Sequence, residues 1–109
     1  MEPPQIVLEP EGFAVVAPDG QRHAVRWASV TRVGAYKQDN ITTDEIRLVF
    51  EVAELPDRAL EVSEEWQGFE DLFGALEREL GISPAWYTEI ILPAFAPTPR
   101  LLLDRGTNP

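Results

Sequence analysis

The stretch Leu60-Glu61-Val62-Ser63-Glu64-Glu65-Trp66-Gln67-Gly68-Phe69 constrains the fold most, because a two-residue strand period gives way there to an acidic turn and then to a helix period. From about Gly68 to Leu80 the apolar residues Phe69, Leu72, Phe73, Leu76 and Leu80 fall at offsets 0, 3, 4, 7 and 11, which places them on one stripe of an α-helix. Glu70 and Asp71 sit in the first turn, where carboxylates favour the positive end of the helix dipole, and Gly81 is placed to end the helix. A helix that buries five large apolar side chains at roughly 1.5 to 3 kcal/mol each must be integral to the fold.

Strand patterns dominate what precedes it. Phe13-Ala14-Val15-Val16-Ala17 reads as a strand, Pro18-Asp19-Gly20 as a hairpin turn, and Arg22 to Trp27 as the return, with His23, Val25 and Trp27 on one face. Trp27, Val30 and Val33 are then spaced by three, so a bulge, bend or brief turn is expected after Trp27; Gly34 marks a second place of curvature. Residues 38–44 read as a polar loop. Beyond it Ile46, Leu48, Phe50 and Val52 are expected to face the core while Glu45, Arg47 and Glu51 face water. A turn at Pro56-Asp57-Arg58 leads to a short strand with Leu60 and Val62 inward.

After Gly81, Ser83-Pro84 resembles a helix start, whereas Trp86 to Leu92 also suits a strand; the reading adopted is a short helix ended by Pro93. Residues 93–99 read as an extended, proline-stiffened segment, and Arg100 to Asp104 as a closing strand or a tail packed on the body. The fold class expected is therefore α+β, a curved antiparallel sheet of about five to seven strands packed against one main helix in the second half of the chain. Residues 1–109 are read as a single domain with loose ends near 1–4 and 106–109.

Composition narrows the functional classes. With no cysteine there are no disulfides, thiolate metal sites or thiol nucleophiles. The formal net charge of -10 argues against nucleic acid as a partner, since such affinity depends on neutralising phosphates. No segment approaches the roughly 18 apolar residues of a membrane span, and the opening residues lack a basic leader region, so a cytoplasmic location without membrane attachment is expected. The charge is uneven: from Glu51 to Glu79 there are ten acidic residues against only Arg58 and Arg78. Such a stretch either serves as a solvated, solubilising surface or meets a cationic partner.

Catalytic constellations find little support. His23 is the sole histidine, and no Gly-x-Ser-x-Gly sequence surrounds any serine. Asp39, Asp44 and Glu45 flank a loop without the ligand spacing of a calcium hand, and Glu64, Glu65, Glu70 and Asp71 surround the helix start. Carboxylate or metal-dependent hydrolysis through these groups is the alternative reading. No cofactor and no catalytic or metal-ligating residue is expected. Contact residues are the better lead: Trp66 in the acidic turn with Glu64 and Glu65, and the Trp86-Tyr87 pair, are the candidate binding residues, since such rings either anchor partners or complete the core.

The pattern Trp27-x-x-Val30-x-x-Val33-x-Ala35-Tyr36-Lys37-x-Asp39, with Asp44-x-Ile46-x-Leu48-x-Phe50, Val62-x-Glu64-Glu65-x-x-Gly68-Phe69 and Pro93-Ala94-Phe95, resembles a group of small bacterial proteins of unknown activity. The Trp-x-x-Val-x-x-Val portion also resembles bacterial pleckstrin-homology-like domains, whose curved sheet is closed at one end by a helix. Members that hold phosphoinositides use basic clusters in an early loop; here the corresponding turn, Pro18 to His23, carries a single arginine. The resemblance implies a protein- or peptide-binding module and supplies no catalytic residues. The function expected is thus a non-catalytic interaction domain of adaptor or neutralising type with a protein partner, a homodimer through a sheet edge being a close variant.

Overall fold

A computed structural model describes residues 2–39, 44–91 and 99–105. The element order is β1 (Gln5–Glu9), β2 (Gly12–Val16), β3 (Arg22–Arg26), a one-turn 3₁₀ helix (Trp27–Ser29), β4 (Val30–Asp39), β5 (Asp44–Val52), β6 (Ala59–Ser63), α1 (Phe69–Leu80), α2 (Ala85–Ile91) and β7 (Arg100–Asp104). The class is α+β. The strands form two antiparallel sheets, β1-β2-β3 and β6-β5-β4-β7, and not the one curved sheet expected from the pattern.

The division follows from the local sequence. The hairpin at Pro18-Asp19-Gly20 keeps β2 and β3 in register from Gly12↔Arg26 to Val16↔Arg22, and the Asp19 carboxylate accepts the Gln21 N–H at 2.9 Å. Trp27 then leaves the strand for the 3₁₀ turn, the register of β4 on β5 slips between Val30 and Arg32, and the chain passes to the second sheet. The three-residue spacing of Trp27, Val30 and Val33 is the trace of that corner. Gly34 marks another shift, in the pairing of β4 with β7.

Side chains from both sheets meet in one core. Phe13 of β2 contacts Phe50 of β5 and Trp27 of the corner, with ring centroids 4.9 and 5.4 Å apart. Ile46, Leu48 and Phe50 are fully buried, whereas Val52 is only half-buried at the strand end. The α1 stripe packs inward through Phe69, Leu72 and Leu76, joined by Ala75; Phe73 and Leu80 lie against its border. Gly81 ends α1 in the left-handed region at φ 70°, its N–H donating to the Glu77 carbonyl. α1 packs on β1 and α2 on β4.

Two expectations need correction. Glu45 does not face water: it is 6% exposed, accepting the Ser63 hydroxyl and pairing with Arg47 at 3.3 Å. His23 lies two residues from Val25 along β3 but, unlike Val25, is exposed. The two alternatives for residues 83–92 resolve as helix over Ala85–Ile91, and Arg100–Asp104 is a strand paired with β4. β1 is a strand that the sequence pattern does not announce. The expected polar loop falls largely on residues 40–43, the proline-stiffened segment on 92–98, and the expected loose ends in part on 1 and 106–109, all outside the described residues.

Candidate functional site

The turn between β6 and α1 is held by groups distant in sequence. Ile6 of β1 donates its N–H to the Gln67 carbonyl at 2.8 Å, and Gln5 bridges Gln67, so the first strand clamps the turn. Gly68 sits at φ 93°, and a Cβ there would fall 2.0 Å from the Ile6 carbonyl oxygen. Both the backbone angle and the close approach require glycine.

Glu64 is the polar centre of the turn. Its backbone N–H donates to the Ile46 carbonyl at 2.9 Å, and its carboxylate accepts the Ile46 N–H at 2.9 Å and the Tyr87 hydroxyl. The residue thus ties β5 to α2 while its side chain remains part-buried. Burial first, then the hydrogen bond to Glu64 and the charge of its carboxylate, push the Tyr87 phenol up to about 12. This phenol stays protonated and a donor across the physiological range.

Glu64, Phe69, Glu70, Phe73 and Tyr87 line a cavity of about 290 Å³. A neighbouring depression of about 310 Å³ shares Glu64, Phe69 and Glu70 and adds Trp66, Gln67, Gly68 and Asp71. Together they form a groove across the start of α1. Its rings are coupled: Phe73 lies 6.3 Å from Phe69, 5.7 Å from Trp86 and 5.7 Å edge-on from Tyr87. Glu70 and Asp71 are exposed in the first turn of α1.

The five candidate binding residues of the sequence separate into distinct roles. Glu64 and Tyr87 meet in the groove, and Trp66 lines its second depression, half-buried against the core. Glu65 is exposed, its N–H donating to the Ser63 hydroxyl at 3.1 Å. Trp86 is 5% exposed and belongs to the core behind Phe73, so it supports the groove without presenting a surface. Phe69, Phe73 and Glu70 join the lining, although their sequence pattern marks them only as helix stripe and helix-end charge. The signal for Phe73 is its place at the border of the stripe, one side on the core and the other open.

The second carboxylate group lies elsewhere. Lys37, its side chain almost wholly buried, pairs with Asp44 at 3.6 Å, and Arg47 bridges Glu45 and Glu61, with Tyr36 donating to Glu61. Burial opposes the Arg47 charge, but the Glu61 hydrogen bond and the charges of Glu45 and Glu61 outweigh it, so its pKa is raised. The Tyr36 phenol is raised by burial, by its hydrogen bond to Glu61 and by that carboxylate's charge. Asp44 and Glu45 are engaged in ion pairs of the fold, and among the described residues no group of three or more His, Cys, Asp or Glu converges as metal ligands would. No described helix is long and apolar enough to cross a membrane.

No protein-family model, curated protein or solved structure matches this chain. What the groove can do therefore follows from its chemistry. Two carboxylates beside three aromatic rings suit a cationic side chain with an apolar stem: the ammonium or guanidinium meets the carboxylates and ring faces, and the methylenes cover the rings.

Proposed function

We propose that this protein is a non-catalytic interaction domain of adaptor or neutralising type, acting in the cytoplasm, whose groove at the start of α1 receives a lysine- or arginine-bearing segment of a protein partner. The observation that carries the reading is the lining itself, Glu64 and Glu70 set against Phe69, Phe73 and Tyr87. The acidic stretch from Glu51 to Glu79 extends the same potential, which favours encounter with a cationic partner and resists anionic ones. The reading also retains the likeness to bacterial pleckstrin-homology-like domains and to small bacterial proteins of unknown activity. The seven described antiparallel strands and a packed helix are in keeping with the former; the two-sheet division and a strand after the helices are departures from it.

The test is fluorescence anisotropy with short labelled peptides in which a lysine or arginine is flanked by apolar residues. Binding should weaken about tenfold when Glu64 and Glu70 are both changed to Gln, should be lost on acetylating the peptide lysine, and should weaken with added salt. Equal binding by the acetylated peptide, or by the Glu64→Gln/Glu70→Gln protein, would remove the basis for the reading.

A further inference from the structure

Away from the acidic groove, the two sheets leave a gap whose walls are strand edges. β3 ends one sheet and β6 ends the other, each with a hydrogen-bonded neighbour on one side only among the described strands. Between them lies the largest of the cavities described, about 470 Å³, within the usual size of a binding pocket. Its floor is apolar, from Val25, Phe50, Val52 and Leu60, and Leu55 overhangs it, 53% exposed. Its rim carries two cations, Arg22 and Arg58, beside the chain's sole histidine, His23. In a chain with 19 acidic and 9 basic residues, two of the arginines and the histidine converge on this cleft. Arg22 is partly neutralised by Glu9, whereas Arg58 and His23 have no ion pair among the described residues.

We infer that this cleft is a second binding site, which takes an extended peptide segment alternating apolar and acidic residues, added as a strand between β3 and β6. Three features select that occupant. Unpaired strand edges offer backbone donors and acceptors that only another extended chain satisfies in series. The apolar floor receives every second side chain of such a segment, since successive side chains point to opposite faces. Arg22 and Arg58 complement carboxylates on its outward side and oppose the lysines that suit the acidic groove. A second copy of this chain and a free apolar carboxylate are the competing occupants. The site is independent of the groove, so either can fail alone.

The probe is a blocked heptapeptide alternating valine and glutamate, titrated into the isotopically labelled full chain and followed by NMR and amide hydrogen exchange. The expected result is chemical-shift change confined to β3, β6 and the Leu55–Arg58 turn, with amides of β3 and β6 exchanging at least about tenfold more slowly when bound. N-methylation of alternate peptide residues should abolish binding without altering the protein, and Arg22→Glu with Arg58→Glu should weaken it about tenfold. No binding, equal binding by the N-methylated peptide, or equal binding by a valine-lysine peptide overturns the proposal. So does octanoate binding in the cleft when the peptide does not. Concentration-dependent dimerisation through β3 that excludes the peptide assigns the cleft to a second copy and overturns it likewise.

Discussion

The acidic groove and the cationic cleft lie at opposite ends of one short strand, and they are built in opposite ways. Ala59 and Leu60 at the start of β6 line the cleft, while Glu64, just past its end, anchors the groove. The groove is made by over-determined parts: a left-handed glycine against a backbone carbonyl, a carboxylate accepting two donors, and four interlocked rings. The cleft is made by what the fold leaves undone, two strand edges and a rim of exposed side chains. Substitutions in the groove must therefore disturb folding as well as binding, and substitutions on the cleft rim should leave the fold intact.

That contrast can be broken most forcefully at Gly68. Gly68→Ala adds left-handed strain to a backbone overlap with Ile6, and is expected to destabilise the protein by about 3 kcal/mol in urea unfolding. A loss below about 1 kcal/mol would mean that the β1 clamp yields easily. Phe73→Ala removes a ring touching Phe69, Trp86 and Tyr87. Because that ring is only part-buried, the substitution should cost about 2 kcal/mol, below the roughly 3 to 5 kcal/mol typical of a fully buried phenylalanine. A loss in the higher range would make the groove wall solid core and leave no open face for a ligand.

Tyr87→Phe deletes the donor to Glu64 and should cost about 1 kcal/mol. The same hydrogen bond sets an alkaline signature. Because the Tyr87 phenol titrates near 12 in the folded chain against 10.0 when unperturbed, the unfolded state loses that proton first. Its contribution to stability is fully present below pH 10 and falls away as pH rises towards 12. Tyr36, the only other tyrosine, is raised as well, so absorbance titration of the native protein should show less than half of its phenolate at the unperturbed midpoint. A native titration centred there would contradict both hydrogen bonds. At the small end, Arg58→Ala and Leu55→Ser on the cleft rim should each change stability by no more than about 0.5 kcal/mol.

How much of this is legible in the sequence depends on how local its causes are. α1 is legible because five side chains in twelve residues carry its period and Gly81 carries its stop. β5 is legible by alternation, yet Glu45 in an outward slot is buried, because Ser63 and Arg47 satisfy its charge. β1 is hidden: Pro3, Pro4 and Pro10 bracket Gln5–Glu9, and its service to the turn at Gln67 is a contact across about sixty residues that no window of sequence contains. Glu64 and Tyr87 stand out in the sequence as separate contact residues, and only the packing of α2 beside the β6 turn joins them. The cleft is illegible for a different reason. Each strand wall is foreseeable, but the division into two sheets, which leaves the walls unpaired, is a property of the whole topology.

The two proposed sites imply one property of the chain, separation of partners by charge, with cationic segments at the start of α1 and anionic ones between β3 and β6. It is tested most directly by an NMR titration in which the lysine-bearing and glutamate-bearing peptides are added to the same sample in turn. Shifts are expected at Glu64, Glu70, Phe73 and Tyr87 with the first and at His23, Ala24, Leu55 and Arg58 with the second, with no displacement of one by the other. Both peptides perturbing a single set of residues, or each displacing the other, would contradict it.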